Sequence, residues 1–210
     1  MFWKVDPVRD ERESERVVAF DADRAAVEAA RRDPRRFEPL YRKYVAQVYS
    51  FAVYELRDHH AAEDVTEQVF LRALAALPRF QERAPGPDGP STFRVWLFQI
   101  ARNVISNERR SRRRRPAEPL AAAGSLAAPD DPARAAAERD LSERAWRAVD
   151  RLPDLRRRAV ILRFVEEMTP REIAGVLGRS EGSVRVLIHR ALRSVADDLR
   201  SQTAPDRQGP

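Results

Sequence analysis

The chain has 210 residues, with 39 Lys and Arg against 33 Asp and Glu, a formal net charge of +6. It has no cysteine, which excludes disulfides, thiolate zinc sites and cysteine nucleophiles. No apolar run approaches the ~18 residues of a membrane span, and the opening MFWKVDPVRDERESER lacks the apolar stretch of a signal peptide. A soluble, cytoplasmic chain without membrane insertion is the expectation.

Residues 1–23 read as a polar N-terminal arm, with Asp21-Ala22-Asp23 placed to cap a short helix through Arg31. From Phe37 the apolar residues Leu40, Tyr41, Tyr44, Val45, Val48, Phe51 and Ala52 recur at spacings of three and four, which predicts a helix. Arg57-Asp58-His59-His60 breaks it. A second helix is expected from about Ala61 to Leu77, stopped by Pro78. QERAPGPDGP, residues 81–90, is a loop by its three Pro and two Gly. A third helix starts near Ser91-Thr92, with Phe93, Trp96, Leu97, Ile100, Ala101 and Val104 as its buried face.

That third helix runs into the strongest charge feature. From Arg102 to Arg115 there are seven Arg and one Glu, a net of +6 that equals the excess of the whole chain. A solvated tract is one reading of such a run. Contact with a polyanion is the other, because Arg forks match phosphate geometry and displaced counterions drive binding. The run continues a patterned helix, which favours the second.

The stretch 112–134 reads as a Pro/Ala-rich linker. A helix is expected from about Ala135 to Leu152, another from Asp154 to Val165, and then two short helices. Thr169-Pro170-Arg171-Glu172 has the form of a capping box with Pro at the first helical position. Gly178 is placed to end that helix in the left-handed region, and Ser180 to cap the next. Two helices joined by so tight a turn predict a helix-turn-helix. The outer face of its second helix carries Ser183, Arg185, His189, Arg190 and Arg193, suited to base edges and phosphates in a major groove. The expected fold is all-α: two small helical domains, 24–111 and 135–200, joined by a flexible linker, with a tail at 201–210.

These segments resemble the extracytoplasmic-function (ECF) group of bacterial RNA polymerase sigma factors. FEPLYRKYVAQVYSFA, AAEDVTEQVFLRAL and FRVWLFQIARNVISNERRSRRR look like region 2, and LPDLRRRAVILRFVEEMTPREIAGVLGRSEGSVRVLIHRALRSV looks like region 4. The resemblance implies promoter-specific initiation with core RNA polymerase, promoter DNA as the second partner, and control by an anti-sigma factor. It implies polymerase contact through Asp64, Glu67, Gln68 and Arg72. Arg102, Asn103, Asn107, Arg110, Arg112 and Arg113 would meet the −10 region, and Arg179, Ser180, Ser183, Arg185, His189, Arg190 and Arg193 the −35 region. Three departures stand out: Glu67-Gln68 where the family has Gln then Glu, Asn107 where Asp is common, and Arg185-Val186-Leu187 where Lys-Ser-Arg is frequent. The last predicts an unusual −35 preference or weak −35 dependence.

No catalytic constellation competes with this reading. His59-His60 fits a polar helix junction better than a metal site, and there is no glycine-rich phosphate loop. No cofactor, metal or small-molecule substrate is expected, and the chain is not read as an enzyme. The alternatives are a helix-turn-helix regulator that binds an operator without polymerase, and an RNA-binding adaptor using the Arg run.

Overall fold

In a computed structural model, which describes residues 23–83, 92–114 and 132–203, every regular element is helical. The linker residues 115–131, the arm up to residue 22, most of the Pro-rich loop and the tail from 204 lie outside the described residues. Helix α1 (residues 23–32) opens on a buried Asp23. Its carboxylate accepts from Lys43 Nζ at 2.7 Å and from the Tyr44 hydroxyl. Burial, then the neighbouring Asp23 charge, pushes the Tyr44 phenol far up, so it stays a neutral donor.

A 3₁₀ turn (Pro34–Phe37) leads into α2 (Glu38–Leu56). Leu40, Tyr44, Val48, Phe51 and Ala52 of the expected stripe are buried, whereas Tyr41 lies 44% exposed. Arg57 ends α2 in the left-handed conformation, φ 55°. Asp58 then caps α3 (His59–Ala76) by accepting from the amide of Ala61 at 3.0 Å. That amide, more than any other group, holds the Asp58 carboxyl below its usual range. The two histidines therefore form the first turn of α3, two residues earlier than the expected start. His59 Nδ1 lies 2.8 Å from the Tyr49 hydroxyl.

After the 3₁₀ turn Leu77–Arg79, Phe80 packs on Phe93 and Trp96 and brings the chain to α4 (Phe93–Arg114). Helix α4 extends past the expected boundary at 111 and takes in the first residues assigned to the linker. It also buries more than the expected face. Phe98 and Ile105 are fully buried alongside Phe93, Leu97, Ala101 and Val104, while Trp96 and Ile100 are half-buried.

The second half holds α5 (Pro132–Asp150), α6 (Asp154–Phe164), α7 (Pro170–Leu177) and α8 (Glu181–Thr203). Helix α5 starts three residues before the expected Ala135. The capping box forms as read: Thr169 Oγ1 accepts from the Glu172 amide at 3.2 Å, and Glu172 Oε2 accepts from the Thr169 amide at 2.8 Å. Gly178 is left-handed, φ 66°, and Ser180 Oγ accepts from the amide of Ser183. Open space surrounds the place a Gly178 Cβ would take, so a substitution there meets only backbone strain. Gly178→Val is expected to cost about 1–2 kcal/mol, read as a lower urea midpoint, with Gly178→Asn nearer the parent.

The two halves do not stand apart. Helix α7 lies on α4 and α6 lies on α2, and one apolar core runs through both halves.

Candidate functional site

On α4, Asn103, Asn107, Arg110 and Arg114 are exposed at spacings of four, three and four, which aligns them along one side of the helix. Arg114 belongs to this stripe; the sequence placed it in the basic run, but the resemblance singled out Arg112 and Arg113 instead. Its signal was the same periodicity that located the buried face. Arg112 stands off the stripe and bonds Glu108 at 2.8 Å and Asp58 at 2.9 Å. The side chain of Arg113 lies outside the described residues. Arg109, in the middle of the basic run, is spent internally on Glu55 at 3.2 Å and Asp154 at 2.9 Å.

Arg102 points to the seam between the halves. Its Nη1 donates to the carbonyl of Val176 at 2.6 Å, and burial lowers its proton affinity. Gln99 Nε2 donates to the carbonyl of Gly175 at 2.8 Å. These are carbonyls of the last turn of α7, which no bond inside that helix satisfies. Arg94 completes the row, donating to Glu172 at 3.2 Å, to Gln47 on α2 and to the carbonyl of Glu166. Side chains of α4 thus cap α7 across the seam.

On the helix-turn-helix, Arg179, Ser180, Ser183, Arg185, His189, Arg190 and Arg193 are all exposed. Arg185 also reaches back to Glu181 at 2.6 Å. The two apolar residues after Arg185 split: Val186 is 48% exposed on the open face, whereas Leu187 packs on the core. Of the pair, Val186 alone adds apolar surface to the outer face of α8.

A third surface lies on α3 of the N-terminal half. Asp64, Glu67, Gln68 and Arg72 are all exposed on one side of α3. Beside them runs a groove of about 630 Å³ between α2 and α3, lined by Phe37, Tyr41, Val45, Phe70, Leu71 and Leu74 with Glu63 and Glu67 at its edge. Leu71, 59% exposed, stands in it. An apolar trough with charged edges suits a protein partner. Among the described residues no cluster of His, Asp and Glu could hold a metal, and no helix is long and apolar enough to cross a membrane.

The family model of Sigma-70 region 2 matches residues 40–115, and that of Sigma-70 region 4 matches residues 142–195. The RNA polymerase sigma-H factor of Pseudomonas aeruginosa is 30% identical over 190 residues, covering 86% of this chain and 95% of that protein. The ECF RNA polymerase sigma factor BldN of Streptomyces coelicolor is 34% identical over 173 residues, 78% of this chain, which spans 62% of BldN's length. Among solved structures, CnrH in complex with the cytosolic domain of CnrY aligns with a TM-score of 0.64 at 26% identity, over 87% of this chain and 99% of that one. Both halves of the molecule, each with its own set of exposed polar and basic side chains, therefore carry the family's two regions in order. The chain belongs to the ECF group of RNA polymerase sigma factors.

Proposed function

We propose that this chain binds core RNA polymerase in the cytoplasm and directs it to promoters, performing no reaction of its own. The α4 stripe of Asn103, Asn107, Arg110 and Arg114 meets the −10 element. The outer face of α8 reads the −35 element, with Arg185 and Arg190 as candidates for guanine and Arg179 and Arg193 for phosphate. The α3 face of Asp64, Glu67, Gln68 and Arg72, with the apolar groove beside it, docks on the polymerase. The units that do this work are taken as 24–111 and 135–200. An anti-sigma protein is the expected inhibitor, and the similar chain CnrH was itself solved with a bound protein, the cytosolic domain of CnrY.

The observation that supports this reading is the pairing of two exposed helix faces rich in arginine with an apolar groove on the N-terminal half. An operator-binding regulator has no need of the groove. Transcription in vitro with purified core polymerase tests it: promoter-specific transcripts should appear only when the chain is added. Leu71→Asp places a charge in the groove and is expected to weaken core binding by about 30-fold or more, the scale of a buried anchor, while leaving the melting temperature unchanged. Tight operator-like DNA binding without polymerase, together with no effect of Leu71→Asp, would favour the regulator.

A further inference from the structure

The seam between α4 and α7 is built to close. Gly175 faces Val95, and a Cβ at Gly175 would come within 2.6 Å of Val95 Cγ1, so only glycine allows this approach without displacement. Around that contact, Arg94, Gln99 and Arg102 donate to Glu172, Gly175 and Val176 of α7. Glu166, in the connection from α6 to α7, is buried in the same seam. The Ser50 hydroxyl of α2 bonds its carboxyl, and its Oε1 has no partner among the described residues.

We propose that this seam is a proton-released latch: the isolated chain rests closed with α7 seated on α4, and it opens as the Glu166 carboxyl gives up its proton to water. The inference rests on the reading that α4 and α8 meet separate promoter elements. Those elements lie about 25 base pairs apart, roughly 85 Å along the duplex at ~3.4 Å per base pair. In the closed form α4 touches α7, and α7 packs directly on α8. Two readers so joined cannot span that distance, so the closed form must open before both are engaged.

The groups facing Glu166 fix the sign of its response. Helix α4 presents Arg94, which favours the charged carboxylate but is shared with Glu172 of α7 and Gln47 of α2. Helix α2 presents the uncharged Ser50, which donates to the carboxyl, while Gln47 reaches the same seam only through Arg94. Burial outweighs the cation and pushes Glu166 up from 4.5 to about 7. In the open form the carboxyl returns to water and to its ordinary value. Closure is therefore strongest below pH 4.5, weakens as pH rises from there to about 7, and levels off above. Linkage between the two values gives a closed-to-open ratio that falls about tenfold from pH 6 to pH 8.

The absence of native cysteine makes the test direct. Arg36→Cys and Ala196→Cys, both at exposed positions, accept a donor and an acceptor dye on the full chain without polymerase. Energy transfer should fall between pH 6 and pH 8, and Glu166→Gln, neutral at every pH, should remain closed throughout. Gly175→Leu, whose Cβ collides with Val95, should read as open at both pH values. As a further readout, binding of the parent chain to core polymerase at pH 6 should release about one proton, measured by calorimetry in buffers of different ionisation enthalpy. Transfer that does not change with pH in the parent, or a Glu166→Gln profile that follows the parent, overturns the latch. A pH-dependent transfer with no polymerase binding would leave the latch standing and sink the functional reading instead.

Discussion

Replacing Glu55 with alanine is expected to cost about 3–5 kcal/mol of stability, the scale for removing one partner of a buried ion pair. The Glu55 side chain is fully buried. It accepts from Arg109 of α4 at 3.2 Å and from Arg158 of α6 at 2.9 Å, with Arg157 at 3.9 Å. Arg157 and Arg158 are themselves only 11% and 12% exposed, and burial already lowers the proton affinity of Arg157. Without the carboxylate, cations from two helices face one another in a poorly hydrated seam. Glu55→Gln keeps an acceptor but not the charge, and should fall between alanine and the parent. A triple change, Glu55→Leu with Arg157→Met and Arg158→Met, should recover much of the loss, because apolar replacements of similar volume remove the unpaired charges together. Urea unfolding checks all three. A loss below about 1 kcal/mol for Glu55→Ala would mean that water reaches these guanidiniums and that the cluster contributes little to joining the halves.

The second large effect is expected on the outer face of α8. Arg185→Ala with Arg190→Ala removes two candidate bidentate contacts, each worth about 1–3 kcal/mol. Promoter complexes carrying a −35 element should therefore weaken by between about 30-fold and about 10⁴-fold. Melting temperature should hardly move, since both side chains are exposed and Arg185 bonds only Glu181 one turn away. If the two arginines meet bases, the penalty should depend on the −35 sequence. If they meet phosphates, it should be uniform across sequences, and the salt dependence should drop by about one unit of slope for each phosphate left unneutralised. Equal transcription by the double variant and the parent would remove α8 from promoter reading.

Local chemistry made much of the fold legible. The capping box at Thr169, the left-handed Gly178 and the stop at Pro78 are each decided within a few residues, and each stands where the sequence placed it. The joining of the halves was not legible in that way. The bond from Arg94 to Glu172 spans 78 positions, and that from Arg158 to Glu55 spans 103. No local pattern announces such pairs. The basic run illustrates the consequence, because charge alone did not separate Arg109, held on Glu55, from Arg110, which is exposed. One signal was present and passed over. Val95, Phe98 and Ile105 make α4 apolar around more than one side, and a helix of that kind needs a second neighbour. That neighbour is α7.

The two oxygens of the Glu172 carboxylate divide their duties. Oε2 receives the Thr169 amide and hydroxyl at the start of α7, and Oε1 receives Arg94 from outside. Of the bonds to this carboxylate, undocking breaks only the external one and leaves the helix start intact. The C-terminal reader can therefore leave its resting place as a preassembled piece, and no helix has to be rebuilt before it reaches a duplex.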